Sequence, residues 1–407
     1  MTYLDIADGN FDPLDPRLFS EDLFWPTLTE LREQCPVYRS ERNQRVVVSR
    51  YADIVAVTQD WKTFSSKVGV PPVPFEASEG AFKLLPSEAD GEYHRAIREL
   101  LNPFFTLKKA QELAPKFRSL TNELIDEFCE RGECEFVADF AEKLPGLAVY
   151  EGVLGAPRDD LEKVMGWFQS ILLNQEDSAS AQSELLAWCR GLIESRRGGD
   201  ERHDVIDAIV HGTILGRPLT ELEQVQILIN TTVGALETTV RALSNMVLHL
   251  ATRPDLVRKL SSGESGFDRA VEEFLRYEAP APMLGRTATC DTTMHGTEID
   301  KGSQVLLCYS AANRDPRRFD DPDTIDFDRS DLRHLAFSRG PHVCLGQHIA
   351  RLELQVALEG IIHRLQDLRL AEGGEVVYQP TVARGPERLD IRFIPSPRLG
   401  ADGVGGR

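Results

Sequence analysis

The side chains best suited to chemistry gather in one short stretch, Phe337-Ser-Arg-Gly340-Pro-His342-Val-Cys344-Leu-Gly346, which runs directly into a helical pattern. Cys344 therefore precedes a long helix, in a loop punctuated by glycine and proline. The free N–H groups and positive dipole end of a helix start stabilise a thiolate. A thiolate held there binds a soft metal centre. Taken alone, however, a cysteine before a helix reads more readily as a buried loop thiol. A second stretch, Gly234-Ala-Leu-Glu237-Thr238-Thr239, sets a carboxylate and hydroxyls in an otherwise apolar helix, where they need partners or a purpose. Its bland reading is a threonine bonded to the carbonyl one turn back and a glutamate on a polar face. Glu273 and Arg276 share a helix face at i and i+3, as do His94 and Arg98 at i and i+4. Each of these pairs, read alone, is a surface feature.

These residues need elements to position them. The clearest helix spans 221–252: Thr220-Glu221-Leu222-Glu223 is a capping box, and Arg253-Pro254 closes the far end. At 1.5 Å per residue it is about 48 Å long and crosses a whole domain. Its middle is apolar on most faces, which predicts burial. Further helices are predicted at 51–59, at 268–277 before Pro280, and at about 346–366. Residues 159–198 should form two lid helices, on which Trp167, Phe168, Ile171 and Leu172 face either substrate or core. Strands are predicted at 37–39, 45–49, within 286–308 and at 388–394. The Pro-rich, aromatic stretch 67–90 is too long for a plain connector and reads as a functional loop. The expected architecture is mainly α with a small β portion drawn from both ends of the chain.

Composition narrows the function. The 407 residues carry 46 basic and 65 acidic side chains, a net −19, with 42% hydrophobic and 27% charged residues. That suits a globular chain with a large core and excludes global disorder. So acidic a chain is a poor general binder of nucleic acid or anionic membrane. No uncharged apolar run reaches the 18 residues of a membrane span. The acidic N-terminus does not read as a secretory signal or transit peptide. Seven scattered cysteines, at 35, 129, 134, 189, 290, 308 and 344, predict a reducing cytoplasm and mostly buried free thiols. Cys129 and Cys134 are expected merely to pack or to sit near a helix end. We read 1–407 as one domain and a monomer, with a frayed tail at 396–407.

Phe337, Gly340, Cys344 and Gly346 match all four fixed positions of the haem-ligand loop Phe-x-x-Gly-x-x-x-Cys-x-Gly, and here the sequence resembles the cytochrome P450 family. Ser338 stands where that family usually has glycine, and Pro341 is uncommon there. Glu273-Phe-Leu-Arg276 resembles the family's Glu-x-x-Arg, and the segment from Asn313 to Arg329 resembles its meander, with Arg329 joining the pair as a structural third partner. Gly234-Ala235-Leu-Glu237-Thr238-Thr239 resembles the oxygen-binding groove of the family's long central helix. The resemblance runs from about residue 10 to 395 and is nearest the bacterial class that includes the camphor and cineole hydroxylases.

The resemblance implies a P450 fold, with the long central helix over haem b and Cys344 as the iron's thiolate ligand, whose electron push favours O–O cleavage. Gly234 and Ala235 would leave room over the haem. Thr238 would hydrogen-bond the oxygen held there, and Glu237 would pass protons inward. His94, Arg98, Arg286 and His342 would meet the haem propionates. Phe75, Phe82, Leu84, Asn230, Val233, Met283, Val382 and Ala383 would line an apolar substrate pocket, with Asn230 its polar side chain. Phe82 stands where the camphor enzyme has a ketone-bonding tyrosine, and Leu284 replaces an aspartate near a propionate.

The implied activity is monooxygenation of a small or mid-sized apolar organic molecule with O₂. No dinucleotide motif or iron–sulfur set is fused, so electrons would come from a separate ferredoxin or flavodoxin with its reductase. That donor is expected to dock over Cys344 on a local basic patch of Arg95, Arg98, Arg333, Arg339 and Arg351, with Arg339 the most exposed. A peroxide-driven haem enzyme and a non-catalytic haem-thiolate sensor are the alternatives, and the acid–threonine pair argues against both.

Overall fold

In the computed structural model, the structure describes all residues except 1–5, 7–8, 10, 20, 71–82, 173–174, 200–201, 375, 379–381 and 401–407. The long helix runs from Glu221 to Thr252. The Thr220 hydroxyl accepts from the Glu223 N–H at 3.3 Å, and the Glu223 carboxylate accepts from the Thr220 N–H at 2.7 Å. This reciprocal cap satisfies two N–H groups that a helix start otherwise leaves open. At the far end Pro254 begins the next helix. Most of the long helix is buried on every side. Its hydroxyls are satisfied by back-bonding: Thr231, Thr232 and Thr238 donate to the carbonyls of Ile227, Leu228 and Gly234.

Around this axis pack the helices Gly91–Leu101, Leu107–Asp126, Phe267–Tyr277 and Gln347–Arg364. One apolar cluster joins Leu243, Met246 and Val247 of the long helix to Phe128, Phe140, Phe274, Leu358 and Phe393. A second surrounds its N-terminal half with Ile97, Phe117, Tyr150 and Ile206. The lid helices are Leu161–Leu172 and Ser178–Arg197, packed on each other. Phe168 is buried, while Trp167 and Ile171 lean on the second cluster.

The β portion does draw on both ends of the chain. A five-stranded sheet orders Val37–Arg39, Val46–Val48, Gln304–Cys308, Met283–Ala288 and Phe64–Ser65. Its strands are antiparallel except Gln304–Cys308 against Val46–Val48, where Val305 pairs with Val46. A three-stranded sheet brings Glu133–Glu135 beside Asp390–Arg392 and Arg369–Leu370. All seven cysteines are free. Cys134 sits in that strand and Cys129 packs just beyond the 107–126 helix. The start of the expected frayed tail is instead held, because Asp126 accepts the N–H groups of Leu399 (3.0 Å) and Gly400 (2.9 Å). No described helix is long and apolar enough to cross a membrane.

Candidate active site

The Cys344 loop is shaped by backbone geometry. Gly340 has φ +73°, and a Cβ there would come within 2.5 Å of the Thr58 carbonyl oxygen, so only glycine permits this approach. Gly340 does not line the cavity among the described residues; its part is to seat the loop on the end of the 51–59 helix. Ser338 has φ +58°, a left-handed conformation that costs a serine energy and a glycine little. Its hydroxyl recovers part of that by accepting the Tyr309 O–H at 2.9 Å. The Cys344 N–H donates to the Phe337 carbonyl at 2.9 Å, which folds the loop back on itself. Arg351 lies over the Phe337 ring, 4.3 Å from its centroid. The backbone N–H groups of Gly346 and Gln347 aim at the Cys344 sulfur, and Arg98 and Arg351 add positive charge. Burial outweighs them and leaves the bare thiol above its ordinary value.

Cys344 opens on a cavity of about 300 Å³. One wall carries His94, Arg98, Arg286 and His342; the long helix contributes Asn230, Thr231, Gly234, Ala235, Thr238 and Thr239. A Cβ added at Gly234 would meet nothing within 4 Å, so the groove is open there. Arg98 donates to the Val343 carbonyl at 2.8 Å and Arg286 to its neighbouring Gly285 carbonyl at 2.6 Å. Neither meets a carboxylate among the described residues. Burial holds Arg98 below its usual range. Asp90 accepts from the Ser65 hydroxyl (2.5 Å) and faces His342 Nε2 at 3.1 Å. The His342 ring lies 4.2 Å from that of His94. Burial first, and then the charges of His342 and Arg98, lower His94 to about 4.

Two guanidiniums without carboxylate partners among the described residues, Arg286 buried and Arg98 part-buried, face the same cavity as a lone thiol and fit a dianionic planar group bound through iron. Among the described residues no cluster of three or more His, Cys, Asp or Glu is placed to hold a metal by itself. Haem, which carries its iron within a macrocycle and bears two propionates, fits this lone thiol and cationic wall.

Several predicted site residues stand elsewhere. Glu237 does not line the cavity; its carboxylate pairs with Arg241 at 3.1 Å, one turn along the helix. Met283 is packed in the core with Tyr38, Val47 and Leu306. Side chains alternate along its strand, so Leu284 takes the cavity position instead. Val233 and Leu84 lean on the second apolar cluster, and neither they nor Val382 and Ala383 line the cavity. Phe75 and Phe82 lie outside the described residues.

Asn230 does line it, and its amide is bonded to the Ser87 hydroxyl at 3.1 Å. Glu273 accepts from Arg276 (2.7 and 2.8 Å) and Arg329 (3.2 Å), wholly buried, and Arg276 also donates to the carbonyls of Asn313, Pro322 and Thr324. This pins the segment from Asn313 to Arg329 to the Phe267–Tyr277 helix, and none of the three charged residues lines the cavity.

The sequence reading missed Ser87, Tyr309, Arg241 and Glu88. Glu88 accepts the N–H groups of Val70 (3.2 Å) and Leu84 (2.8 Å), tying together two chain positions that flank the cavity wall. Arg241 follows Glu237 at the i+4 spacing and could have been found from it; Ser87 and Tyr309 depend on contacts between distant segments, which nothing local marks.

The long helix over a thiol-bearing loop and a cationic wall defines a haem-thiolate oxygenase. The family profile described as Cytochrome P450 matches residues 267–382. A steroid C26-monooxygenase of Mycobacterium tuberculosis is 32% identical over 408 residues, which cover 98% of each chain. The solved structure of a mutant of P450 EryK in complex with erythromycin B superposes with a TM-score of 0.85, at 29% identity over 94% of this chain and 99% of that one. P450BioI, in complex with an acyl carrier protein ligated to hexadec-9Z-enoic acid, gives 0.82 at 29% identity, covering 93% and 100%. The chain belongs to the cytochrome P450 family. It is a haem b monooxygenase, and it uses O₂ and a redox partner.

Proposed function

We propose that Cys344 is the protein's ligand to the haem iron, that Arg98 and Arg286 with His94 and His342 receive the propionates, and that the substrate is a neutral, largely apolar molecule carrying a hydroxyl or carbonyl group. Bound haem supplies the activation of dioxygen, so that one oxygen atom enters the substrate and the other leaves as water. The remaining work belongs to side chains. Gly234 and Ala235 leave space on the long helix, and Thr238 presents a hydroxyl there, resting on the Gly234 carbonyl at 3.2 Å. Swinging off that carbonyl frees it to hold a proton at its Oγ1. Glu237, paired with Arg241 at 3.1 Å, sits one residue back as the relay's outer member.

The observation that carries the substrate reading is the cavity's composition. Its charged side chains are His94, Arg98, Arg286, His342 and Glu353, none of which lies on the long helix, on 280–284 or on 86–87. Those segments present Pro86, Pro280, Ala281 and Leu284, beside Val70, with the Ser87–Asn230 pair as the polar anchor. An anionic substrate finds no counter-ion on these segments; a neutral one loses nothing there. Among the relatives, the steroid monooxygenase acts on the chemistry that fits this description. A titration of the ferric protein tests it. Testosterone should shift the Soret band at lower concentration than palmitate, and Asn230→Leu should weaken testosterone while leaving palmitate unchanged. Tighter binding of palmitate would overturn the substrate reading. Reduced protein with carbon monoxide tests the ligand: Cys344→His should move the band from the thiolate to the imidazole position.

A further inference from the structure

We infer that Arg351 is the fixed cation that sets how readily the Cys344 site takes up an electron, and that Glu272, which holds it, tempers that effect; the inference rests on Cys344 as the haem ligand. Arg351 stands on the Gln347–Arg364 helix, seven residues beyond Cys344, and Glu272 on the Phe267–Tyr277 helix packed against it. The pair is a fork. Arg351 donates from Nε to Glu272 Oε1 at 2.6 Å and from Nη2 to Oε2 at 3.2 Å. Its remaining nitrogen, Nη1, donates to the Gln347 side-chain oxygen at 2.9 Å. Gln347 is also the residue whose backbone N–H aims at the Cys344 sulfur. The guanidinium lies over the Phe337 ring, which lines the cavity, while Arg351 itself does not line it.

Both charges are pinned. A bidentate guanidinium–carboxylate pair fixes direction as well as distance. Glu272 is anchored from its other side: His334 Nε2 lies 3.3 Å from its Oε2, and His334 Nδ1 accepts the Ala336 N–H at 3.1 Å. Burial opposes the charge on Glu272, but His334 and Arg351 outweigh it and hold the carboxyl at about 2. The Arg351 and Glu272 side chains are 32% and 23% exposed, so their fields reach Cys344 largely through protein rather than water. Two cations act on the Cys344 sulfur, Arg98 and Arg351. Arg98 faces the cavity, where the propionates would offset it. The counter-charge of Arg351 is instead built into the chain, as Glu272.

In the step concerned, one electron passes from the redox partner to the iron. The partner is oxidised, the iron is reduced, and the surroundings of Cys344 gain one negative charge. A fixed cation favours that gain and a fixed anion opposes it. Removing Arg351 or Glu272 therefore moves the reduction potential in opposite directions. A merely structural role, through a loosened loop or admitted water, moves both variants the same way.

Spectroelectrochemical titration of the substrate-free holoenzyme tests this. Glu272→Gln keeps an amide oxygen for Arg351 and should raise the midpoint potential. Arg351→Gln should lower it. Each shift should reach up to about tenfold in the ratio of reduced to oxidised haem, which is about 59 mV for one electron. Arg351→Lys retains the charge and should stay nearer wild type than Arg351→Gln. A bare Glu272 carboxylate costs Arg351→Gln stability, so the double variant Glu272→Gln/Arg351→Gln gives a second measure: its potential should fall back from the Glu272→Gln value towards wild type. Shifts of the same sign in the two single variants, no shift in Glu272→Gln, or a double variant that stays at the Glu272→Gln value would overturn the assignment. The carbon monoxide band of the reduced wild type reports the ligand independently, which separates this failure from failure of the haem-thiolate reading.

Discussion

The Glu237 carboxylate lies 3.1 Å from the Arg241 guanidinium, both about nine-tenths buried, while the next residue, Thr238, opens into the cavity. Arg241 also donates to the Pro386 carbonyl at 2.8 Å, so one side chain holds both the acid and the C-terminal turn. Removing one partner of a buried pair leaves a bare charge, at about 3–5 kcal/mol. Arg241→Ala should therefore destabilise by roughly that amount, and Glu237→Gln by clearly less, because a neutral amide still bonds the arginine. Denaturant unfolding of the two variants checks the order; equal losses would mean that the charge pair carries the whole effect and the Pro386 bond none.

Thr238 is the hydroxyl placed for the proton. Thr238→Ala should keep ligand-induced Soret shifts and electron uptake yet send electrons to hydrogen peroxide, with product formation down by about 10²-fold or more. Thr238→Ser should restore most coupling, since the hydroxyl survives. Product yield and peroxide measured together decide it; full coupling in the alanine variant removes the role.

Ser338 offers a test of strain against bonding. Its left-handed backbone costs about 1–2 kcal/mol, and its bond to Tyr309 returns about 1 kcal/mol. Ser338→Ala keeps the strain and loses the bond, so it should lower stability by about 1 kcal/mol. Ser338→Gly loses both and should fall within about 0.5 kcal/mol of wild type. Thermal unfolding of the two variants distinguishes them.

These cases show how far the sequence carried. The long helix, its capping box and the Cys344 loop were legible because local pattern decides them: apolar periodicity, a Thr–Glu spacing, a glycine where φ is positive. The cation wall was legible only through several spacings taken together. Met283 was misplaced because a strand's facing turns on one residue of register, which a pattern does not fix. Glu237 was read as passing protons inward; that its partner Arg241 also holds the Pro386 carbonyl, 145 residues away, no local pattern announces. Ser87, Tyr309 and Glu88 act across 143, 29 and 18 or fewer residues of chain, and no local signal announces such contacts.

Acid should loosen the start of the long helix. Arg217 holds Glu223 at about 2, against an ordinary value of 4.5, with burial opposing and Tyr93 and Thr220 adding hydrogen bonds. A carboxyl lowered on folding stabilises fully above its unfolded value and ceases to do so as pH falls through its folded value. The window is thus from about 4.5 down to about 2. Linkage sets at most about 3 kcal/mol, and solvent around the half-exposed Arg217 reduces it. Glu223→Gln should lower stability at neutral pH and flatten the acid slope across that window. An unchanged slope in denaturant midpoints against pH would remove the pair as its cause.

The electron donor's docking follows from which arginines remain unspent beside the Cys344 loop. The loop is backed by the 91–101 helix, since Arg98 reaches the Val343 carbonyl from it. Arg98 is thereby turned inward. Arg351 is bound to Glu272 at 2.6 Å and Arg333 to Asp331 at 2.6 Å. Arg339, expected to be the most exposed, is only half-exposed, with its Nε buried and unpartnered. Arg95, one turn before Arg98, is exposed and has no ion pair among the described residues. The whole chain carries −19, which repels an acidic donor at long range. Screening cuts that repulsion off beyond about 8–10 Å at physiological salt, so a local cation governs the final approach. A small acidic ferredoxin or flavodoxin should therefore meet Arg95 first. Arg95→Glu should slow stopped-flow reduction by about tenfold at low ionic strength, through association rate, and the difference should shrink as salt rises. Arg333→Glu should do less, because Asp331 already cancels that charge. If Arg95→Glu matches wild type in both rate and salt slope, the donor docks elsewhere.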